Sequence, residues 1–262
     1  KSAVIVHESE QRPGHKQLVS YIVPDSQSKE KLKKAAEEAL PAEQVSEWQD
    51  VFDKAYDDEN KYEADFNITS WNSSYTGEPL LAEEMREWVN STVDRILALQ
   101  PKKVLEIGCG TGLLLSRIAP HCEQYWGTDF SSMALDYITA NLINQREDLS
   151  NVTLRKSYAD DFSGLKGQKF DVIVLNSVVQ YFPDADYLLD VLKKAMHAMN
   201  DKGSIFVGDV RNLSLLQTFL TEVEMEKSPA TLTMDQLQRR VQKRMRQEQE
   251  LVIDPAFFYA LQ

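Results

Sequence analysis

The chain has 262 residues, of which 42% are hydrophobic and 27% charged, and its formal net charge is −12 at pH 7. No apolar run approaches the roughly 18 residues of a membrane-spanning helix, and the acidic balance disfavours binding to the phosphate backbone of a nucleic acid. The two cysteines and four histidines lack the spacing of a disulfide framework or a metal site, so we expect a reducing, cytoplasmic compartment and no bound metal.

Residues 1–25 hold two short apolar strands around a polar turn with Pro13 and Gly14, a pattern that predicts a β-hairpin. An isolated hairpin is only marginally stable in water, so we expect this one to belong to the sheet of another domain. The chain also starts at Lys1 rather than at a methionine, which indicates a segment of a longer protein.

Residues 26–100 are predicted to form a charged linker helix followed by a helical lid. Apolar and aromatic side chains recur at helical spacing from 45 to 62 and again from 81 to 99. The intervening loop, DFNITSWNSSYTGEPL, is rich in turn formers, and we expect it to close over the site with Tyr75 as its main contact. The alternative is that the aromatic residues of this loop only pack against the helices.

Residues 101–262 alternate between short apolar runs and amphipathic helices. The predicted strands are KVLEIG, QYWGTDF, VTLRKSYADDF, FDVIVLNSVVQYF (which runs into a turn) and GSIFVGDV, and two further helices are predicted near 213–223 and 234–248. This alternation predicts an α/β fold in which helices cover both faces of a mostly parallel sheet.

The stretch VLEIGCGTGLLL lies at the first predicted strand-to-helix turn and contains Gly108, Gly110 and Gly112. Glycines there allow a tight turn and a close approach of the backbone to a nucleotide-type ligand. The spacing is G-x-G-x-G rather than the G-x-G-x-x-G of dinucleotide sites, and Glu106 before the turn would repel a pyrophosphate. S-adenosylmethionine has an ammonium and a sulfonium group and no phosphate, so we expect this cofactor, with Glu106 at its ammonium group. The alternative for Glu106 is an exposed carboxylate at the end of a strand.

Polar residues also follow the next three predicted strands, at the edge of a parallel sheet where ligands bind. We expect Asp129 to accept hydrogen bonds from the ribose of the cofactor, although the same residue is also placed to cap the next helix. Asp160, Asp161 and Phe162 are assigned to the adenine as a set. The remaining expected cofactor contacts are Phe130, Asn176 and Ser177.

Four residues near the ends of the fourth and fifth predicted strands are candidates for the acceptor side of the site. Gln180 and Tyr181 follow the fourth strand, and Asp209 and Arg211 follow the fifth. We expect these four catalytic candidates to hold or deprotonate a substrate. The alternative for Asp209 and Arg211 is a structural ion pair.

Several of these segments resemble a known family. VLEIGCGTG, GTDFS, ADDF and LNSVVQYF resemble class I S-adenosylmethionine-dependent methyltransferases. More narrowly, DFNITSWNSSYTGEPL, EEMREWV, FVGDVRNL and ELVIDPAFF are similar to methyltransferase domains inserted into the adenylation domains of nonribosomal peptide synthetases. This resemblance covers about residues 45–262, and RPGHKQLVSYIVP resembles the adenylation-domain segment that precedes such an insertion.

The resemblance implies a Rossmann-like fold and the transfer of a methyl group from S-adenosylmethionine to an α-amino group. The acceptor would be an aminoacyl thioester on a phosphopantetheinyl carrier protein, and the host adenylation domain would be a second partner. The family continues beyond the position of Gln262 to a final strand pair that completes the sheet, so either the sequence is truncated there or the fifth strand is an unprotected edge. Three alternatives stay open: a hydroxyl or carbon acceptor, a non-catalytic cofactor-binding scaffold, and a nicotinamide dehydrogenase, which the glycine spacing disfavours.

The predicted helix near 234–248 contains a cluster of basic residues. We interpret this cluster as a solvated helix face. The alternative is a surface for an acidic carrier protein or an RNA. The residues concerned are Arg239, Arg240, Lys243, Arg244 and Arg246.

Overall fold

The computed structural model of the protein describes residues 2–8, 16–22, 44–56, 62–69, 71–229 and 231–261. The chain divides into two compact units, Lys1–Gln44 and Val45–Gln262. In the first unit, β1 (Ser2–Glu8) pairs in antiparallel fashion with β2 (Lys16–Ile22). The turn between these strands and the predicted charged linker helix lie outside the described residues.

The second unit begins with two helices, α1 over residues 44–56 and α2 (Ala82–Leu97). Strands and helices then alternate as the sequence predicts. In chain order they are β3 (Lys103–Ile107), α3 (Leu115–Ile118), β4 (Gln124–Asp129), α4 (Ser132–Asn141), β5 (Val152–Lys156), β6 (Phe170–Asn176), α5 (Ala185–Ala198), β7 (Met199–Gly208), α6 (Leu216–Glu226), α7 (Met234–Arg246) and α8 (Pro255–Tyr259).

Strands β3 to β7 form one parallel sheet in the order β5-β4-β3-β6-β7, which confirms the predicted α/β fold. The chain winds outward from β3 to β5 and then returns to the other side of β3 for β6 and β7. The strand order therefore reverses beside β3, and in such sheets a crevice opens at the carboxyl ends of the strands next to the reversal. Among the described strands, β7 pairs only with β6.

Helices cover both faces of the sheet because the central strands present apolar side chains to both faces. Val104 of β3 packs into a core with residues of α2, α3 and α4. Leu105 and Ile107 of the same strand point to the opposite face, where α5 covers them. This two-sided burial is typical of parallel sheets. No helix in the described part of the chain has both the length and the apolarity needed to cross a bilayer.

Two predicted strand boundaries differ from the structure. The predicted third strand is too long, because β5 ends at Lys156 and the chain then turns between Tyr158 and Asp161. The fifth strand starts earlier than expected, at Met199. The first of these differences decides which residues after β5 face the carboxyl edge of the sheet.

Candidate functional site

A cavity of about 330 Å³ lies at the carboxyl edge of the sheet, beside the reversal of strand order. Its volume falls within the range of roughly 300–1,000 Å³ that is typical of small-molecule sites. Residues at or just after the ends of β3, β4, β5 and β6 line it, together with residues of α1 and of the segment 67–72.

The glycine turn after β3 lies directly on the cavity. Gly108 and Gly110 are in the lining and have φ values of +75° and +50°. A Cβ on Gly108 would come within 2.7 Å of Val178 Cγ2, so the close approach of the chain requires glycine there. Gly112 is not in the lining; an added Cβ there would lie 2.9 Å from Leu142 Cδ1, so this glycine allows packing against the end of α4.

Asp129 ends β4, lines the cavity and is only 5% exposed. Its Oδ2 accepts a hydrogen bond from the Gly110 N–H at 2.8 Å, and its Oδ1 accepts one from the Ser131 N–H at 2.9 Å. Burial raises the pKa of this carboxyl to about 6, and the backbone hydrogen bonds oppose that rise. The helix cap that was the alternative role is made by Ser131, whose Oγ accepts from the Ala134 N–H. Asp129 thus fixes the glycine turn from the neighbouring strand.

Glu106 lies near the end of β3 and is 3% exposed, so it is not a solvent-exposed carboxylate. The Tyr125 hydroxyl donates a hydrogen bond to its Oε2 at 2.7 Å. Burial raises the pKa of Glu106 to about 8, with a smaller contribution from the nearby Asp129, while the Tyr125 hydrogen bond lowers it. The protein therefore holds two buried carboxyls close together at the cavity floor, which we define as Glu106, Gly108, Gly110 and Asp129.

The cavity lining has acidic groups and no basic ones. Within the described residues it contains the carboxyl groups of Glu106, Asp129 and Glu250, and no lysine, arginine or histidine. Glu250 is paired with Arg211, which lies outside the lining, at 2.6 Å. Uncompensated buried carboxyls favour a positively charged ligand. In addition, the Gly110 N–H that would help to cradle a phosphate is already bonded to Asp129.

The structure does not bring Asp160, Asp161 and Phe162 to the cavity. Because β5 ends early, the lining after this strand consists of Ser157, Tyr158 and Ala159. Asp160 instead accepts a hydrogen bond from the Tyr187 hydroxyl at 2.9 Å, and Asp161 lies 3.7 Å from Arg155. Phe162 packs against the core under α5.

The end of β6 contributes Asn176 and Ser177 to the lining, as predicted. Ser177 has a φ of +56°, and Asp209 at the end of the adjacent β7 has a φ of +54°. The Ser177 Oγ donates to Asp209 Oδ2 at 2.7 Å, which ties the two strand ends together. Left-handed conformations at non-glycine residues concentrate at functional sites, and of these two Ser177 lies in the cavity lining.

Of the four catalytic candidates, Gln180 and Tyr181 line the cavity, whereas Asp209 and Arg211 do not. Gln180 is 8% exposed, and its Oε1 is buried without a hydrogen-bond partner among the described residues. Burial raises the pKa of Tyr181 to about 12, so its hydroxyl is neutral at pH 7. Asp209 faces a neighbouring groove. Arg211 pairs with Glu248 and Glu250 rather than with Asp209.

Four aromatic side chains also line the cavity, and we define them as the aromatic roof: Phe52, Tyr56, Phe130 and Tyr181. The Tyr56 hydroxyl reaches the floor, since a Cβ on Gly110 would lie 3.4 Å from it. The Phe52 ring lies 5.0 Å from Tyr181, 5.9 Å from Tyr56 and 6.1 Å from Phe130, between ring centroids. The helical spacing of aromatic residues in α1 was visible in the sequence, but only the structure assigns Phe52 and Tyr56 to the site. Burial raises the pKa of Tyr56 far above its ordinary range.

The loop before α2 contributes part of the cavity wall, but not through Tyr75. Asn67, Thr69 and Trp71 line the cavity, and the Thr111 Oγ donates to the Asn67 carbonyl at 3.2 Å, which attaches the loop to the glycine turn. Tyr75 is outside the lining, since its hydroxyl donates to Glu222 of α6 at 3.0 Å. The structure therefore places the Tyr75 side chain against α6 and not in the cavity where a cofactor contact was expected.

Comparisons with known proteins agree with this architecture. The family described as "Methyltransferase domain" matches residues 105–205. Chondramide synthase cmdD from Chondromyces crocatus is 48% identical over 267 residues, covering 99% of this chain and 7% of the synthase. CymA from Salinispora arenicola, a probable non-canonical nonribosomal peptide synthetase, is 40% identical over 219 residues, covering 84% of this chain and 3% of that protein. The chain thus spans less than a tenth of the length of these relatives.

A similar solved structure is the N-methyltransferase NodS from Bradyrhizobium japonicum in complex with S-adenosyl-L-homocysteine. It has a TM-score of 0.48 and 17% identity, covering 63% of this chain and 74% of NodS. A likeness of this degree says nothing about the reaction. The family match and the two synthetases identify the chain as a class I methyltransferase domain of the kind found within nonribosomal peptide synthetases.

Proposed function

We propose that the chain transfers a methyl group from S-adenosylmethionine, the methyl donor of its family, to the α-amino group of an aminoacyl thioester. A phosphopantetheinyl carrier protein would hold the thioester, and an adenylation domain of the same synthetase would supply the amino acid. The observation that carries the proposal is the acidic lining of the cavity. Its floor has two buried carboxyls, and its lining has no basic side chain among the described residues.

On the cofactor side, the floor would recognise the two polar ends of the donor. When bound, S-adenosylmethionine supplies a methyl group on a positively charged sulfur. Glu106 would hold the ammonium group. Without a ligand the pKa of Glu106 is raised to about 8, and a cation beside this carboxyl would lower that pKa and favour the ionised form. Asp129 would accept hydrogen bonds from the ribose, as acidic residues at the end of the second strand do in related folds. Phe130, Asn176 and Ser177 would contribute further contacts from the lining.

On the acceptor side, Gln180 supports an amine as the methyl acceptor. A buried oxygen without a partner gains from an N–H donor, and an amine keeps N–H bonds while its lone pair attacks. A hydroxyl or a carbon acid must first give its proton to a base. Tyr181, whose pKa is about 12, is not such a base at pH 7.

The reaction needs an in-line approach of the amine to the methyl group, and correct alignment alone accounts for a large part of the rate in such displacements. Tyr181 packs against Trp48 and Phe52 of α1, so the aromatic roof would exclude water and limit the directions of approach. A neutral amine is required because a protonated one has no free lone pair.

The test is to incubate the 262-residue chain with S-adenosylmethionine carrying a labelled methyl group and with an aminoacyl carrier-protein thioester. Mass spectrometry of the amino acid released by hydrolysis should find the label on nitrogen. Label on oxygen or carbon would show that the methyl acceptor is a hydroxyl or a carbon and not the amine. Micromolar cofactor binding without turnover would favour a non-catalytic binding module.

A matched pair of variants tests the role of Gln180. Gln180→Leu should lower kcat about tenfold, the value of roughly one hydrogen bond, with little change in the affinity for S-adenosylhomocysteine. Gln238→Leu, on the exposed side of α7, serves as the control and should leave kcat unchanged. Equal kcat values for both variants would remove Gln180 from the proposal.

A further inference from the structure

Helix α7 carries basic side chains in two different environments. Arg240 and Arg244 turn toward α6, where their guanidinium groups lie 3.9 and 3.1 Å from the Glu224 carboxylate. That carboxylate is largely buried, with 13% of its side chain exposed. Leu237 and Val241 are buried in the same contact. These four side chains are sufficient to explain how α7 is held on α6.

The other three basic residues of the helix form a second row, Arg239, Lys243 and Arg246, which we call the α7 basic stripe. Their spacing of four and three places them on one side of the helix, opposite Leu237 and Val241 at 3.6 residues per turn. All three are exposed. Within the described residues, none of their side chains forms an ion pair or a hydrogen bond.

The stability of the helix does not account for the stripe. Lys243 and Arg246 lie in the last turn of α7, where positive charge is favourable, but like charges at these spacings repel each other and oppose that gain. The partner carboxylate of α6 is already used by Arg240 and Arg244. Yet the stripe concentrates three free positive charges over about 10 Å on a chain with a net charge of −12. A partner with an acidic surface would neutralise it.

The stripe also ends close to the acceptor side of the cavity. Glu250 lines the cavity only four residues after Arg246, a separation that the chain spans with at most about 14 Å. The next residue, Leu251, donates its N–H to the Gln180 carbonyl at 2.7 Å. A partner seated on the stripe would therefore lie beside Gln180, where we place the acceptor amine.

We infer that the α7 basic stripe is the docking surface for an acidic face of the carrier protein, an inference that rests on the proposed function. Three charges along one side of a short helix match a single acidic helix or loop of a small domain. A nucleic-acid backbone is a poorer match, because it would continue past the stripe over a surface of net negative charge. Rim charges of this kind act mainly on the association rate and on its salt dependence.

The experiment compares two charge-reversed forms of the 262-residue chain. One is Arg239→Glu, Lys243→Glu and Arg246→Glu; the matched control is Lys166→Glu, Lys193→Glu and Lys202→Glu, three exposed positions away from the carboxyl edge of the sheet. Each form lowers the net charge by the same amount. Methylation is measured with an amino acid on a holo-carrier protein and with the same amino acid on free pantetheine.

The stripe variant should lower kcat/KM for the carrier-bound substrate about tenfold and leave the pantetheine substrate within twofold. The control should change neither. Equal losses in both variants, or no loss in the stripe variant, would overturn the docking surface, as would tight binding of an RNA oligonucleotide that only the stripe variant loses. If the wild-type chain methylates neither substrate, the proposed function fails, and fluorescence anisotropy of labelled holo-carrier protein still tests the docking surface separately.

Discussion

The floor and the roof of the cavity are held in place by different forces. The floor is fixed by short hydrogen bonds, such as those of 2.7 Å between Tyr125 and Glu106 and 2.8 Å between Gly110 and Asp129. The roof is held by ring contacts with centroid distances of 5.0 to 6.1 Å. A polar, fixed floor sets how tightly a charged ligand binds, whereas an apolar roof sets how well water is excluded and the reactants are aligned. Changes in the two regions should therefore separate binding from turnover.

The largest effect is expected at the floor, from Asp129→Ala. This change removes a buried carboxylate that accepts two backbone hydrogen bonds and, in the proposed function, the ribose hydroxyls. We expect the affinity for S-adenosylhomocysteine to fall at least about 100-fold, from the loss of roughly 3 kcal/mol of charged hydrogen bonding. Isothermal titration calorimetry measures this affinity.

Asp161→Ala is the matched control, since this carboxylate lies outside the cavity lining and belongs to the set that the sequence assigns to adenine. Its affinity should stay within twofold of the wild type. A large loss at Asp161 together with a small one at Asp129 would mean that the wrong strand end has been assigned to the cofactor.

At the roof, Phe52→Ala should lower turnover more than cofactor affinity, the opposite of the effect expected at the floor. Loss of the ring removes its contacts with Tyr181, Tyr56 and Phe130, each worth about 0.5–1.5 kcal/mol. We expect kcat to fall about tenfold while the affinity for S-adenosylhomocysteine changes by less than fivefold. Val51→Ala removes a neighbouring side chain that is 52% exposed and should change neither quantity. If Phe52→Ala weakens cofactor binding as much as it slows turnover, the roof does not act separately from the floor.

A pH series distinguishes the two carboxyls of the floor. The fold raises the pKa of Glu106 from 4.5 to about 8 and that of Asp129 from 3.8 to about 6. Each carboxyl favours the folded state while it is protonated, so their contributions are full at low pH. That of Asp129 is lost as pH rises to about 6, and that of Glu106 as pH rises to about 8.

We therefore expect the free energy of unfolding, measured with urea, to fall by as much as about 1 kcal/mol per pH unit between pH 6 and 8 in the ligand-free protein. Glu106→Gln should abolish this slope while keeping the part below pH 6 that belongs to Asp129. The wild type should also release a proton when it binds S-adenosylmethionine at pH 7, because binding ionises Glu106. If the Glu106→Gln variant releases the same proton, Glu106 is not the partner of the ammonium group.

The same contrast explains how much of the site the sequence predicts. Floor residues adjoin the strand ends that position them, so Glu106, Gly110 and Asp129 could be placed from the alternation of strands and helices alone. Roof residues meet their partners across long separations, as when Phe52 of α1 packs against Tyr181, and the helix that carries Phe52 is itself attached by a hydrogen bond from the Ser131 hydroxyl to Asp53, 78 positions away. No local pattern encodes such a pairing. The position of Asp160 and Asp161 depends on where β5 ends. The strand ends at Lys156, earlier than predicted, and these two residues therefore lie away from the cavity.

The smallest effect is expected at Tyr75, which the sequence places over the cofactor and the structure places on α6. Because its hydroxyl donates to Glu222 outside the cavity, Tyr75→Phe should change the affinity for S-adenosylhomocysteine and kcat by less than twofold. Thr69→Val is the comparison, since Thr69 lies on the same loop but in the cavity lining. Either the affinity for S-adenosylhomocysteine or kcat should change more in Thr69→Val than in Tyr75→Phe. A fivefold or greater loss of cofactor affinity in Tyr75→Phe would show that the loop closes over the cofactor with Tyr75 inside, and would add this loop to the roof.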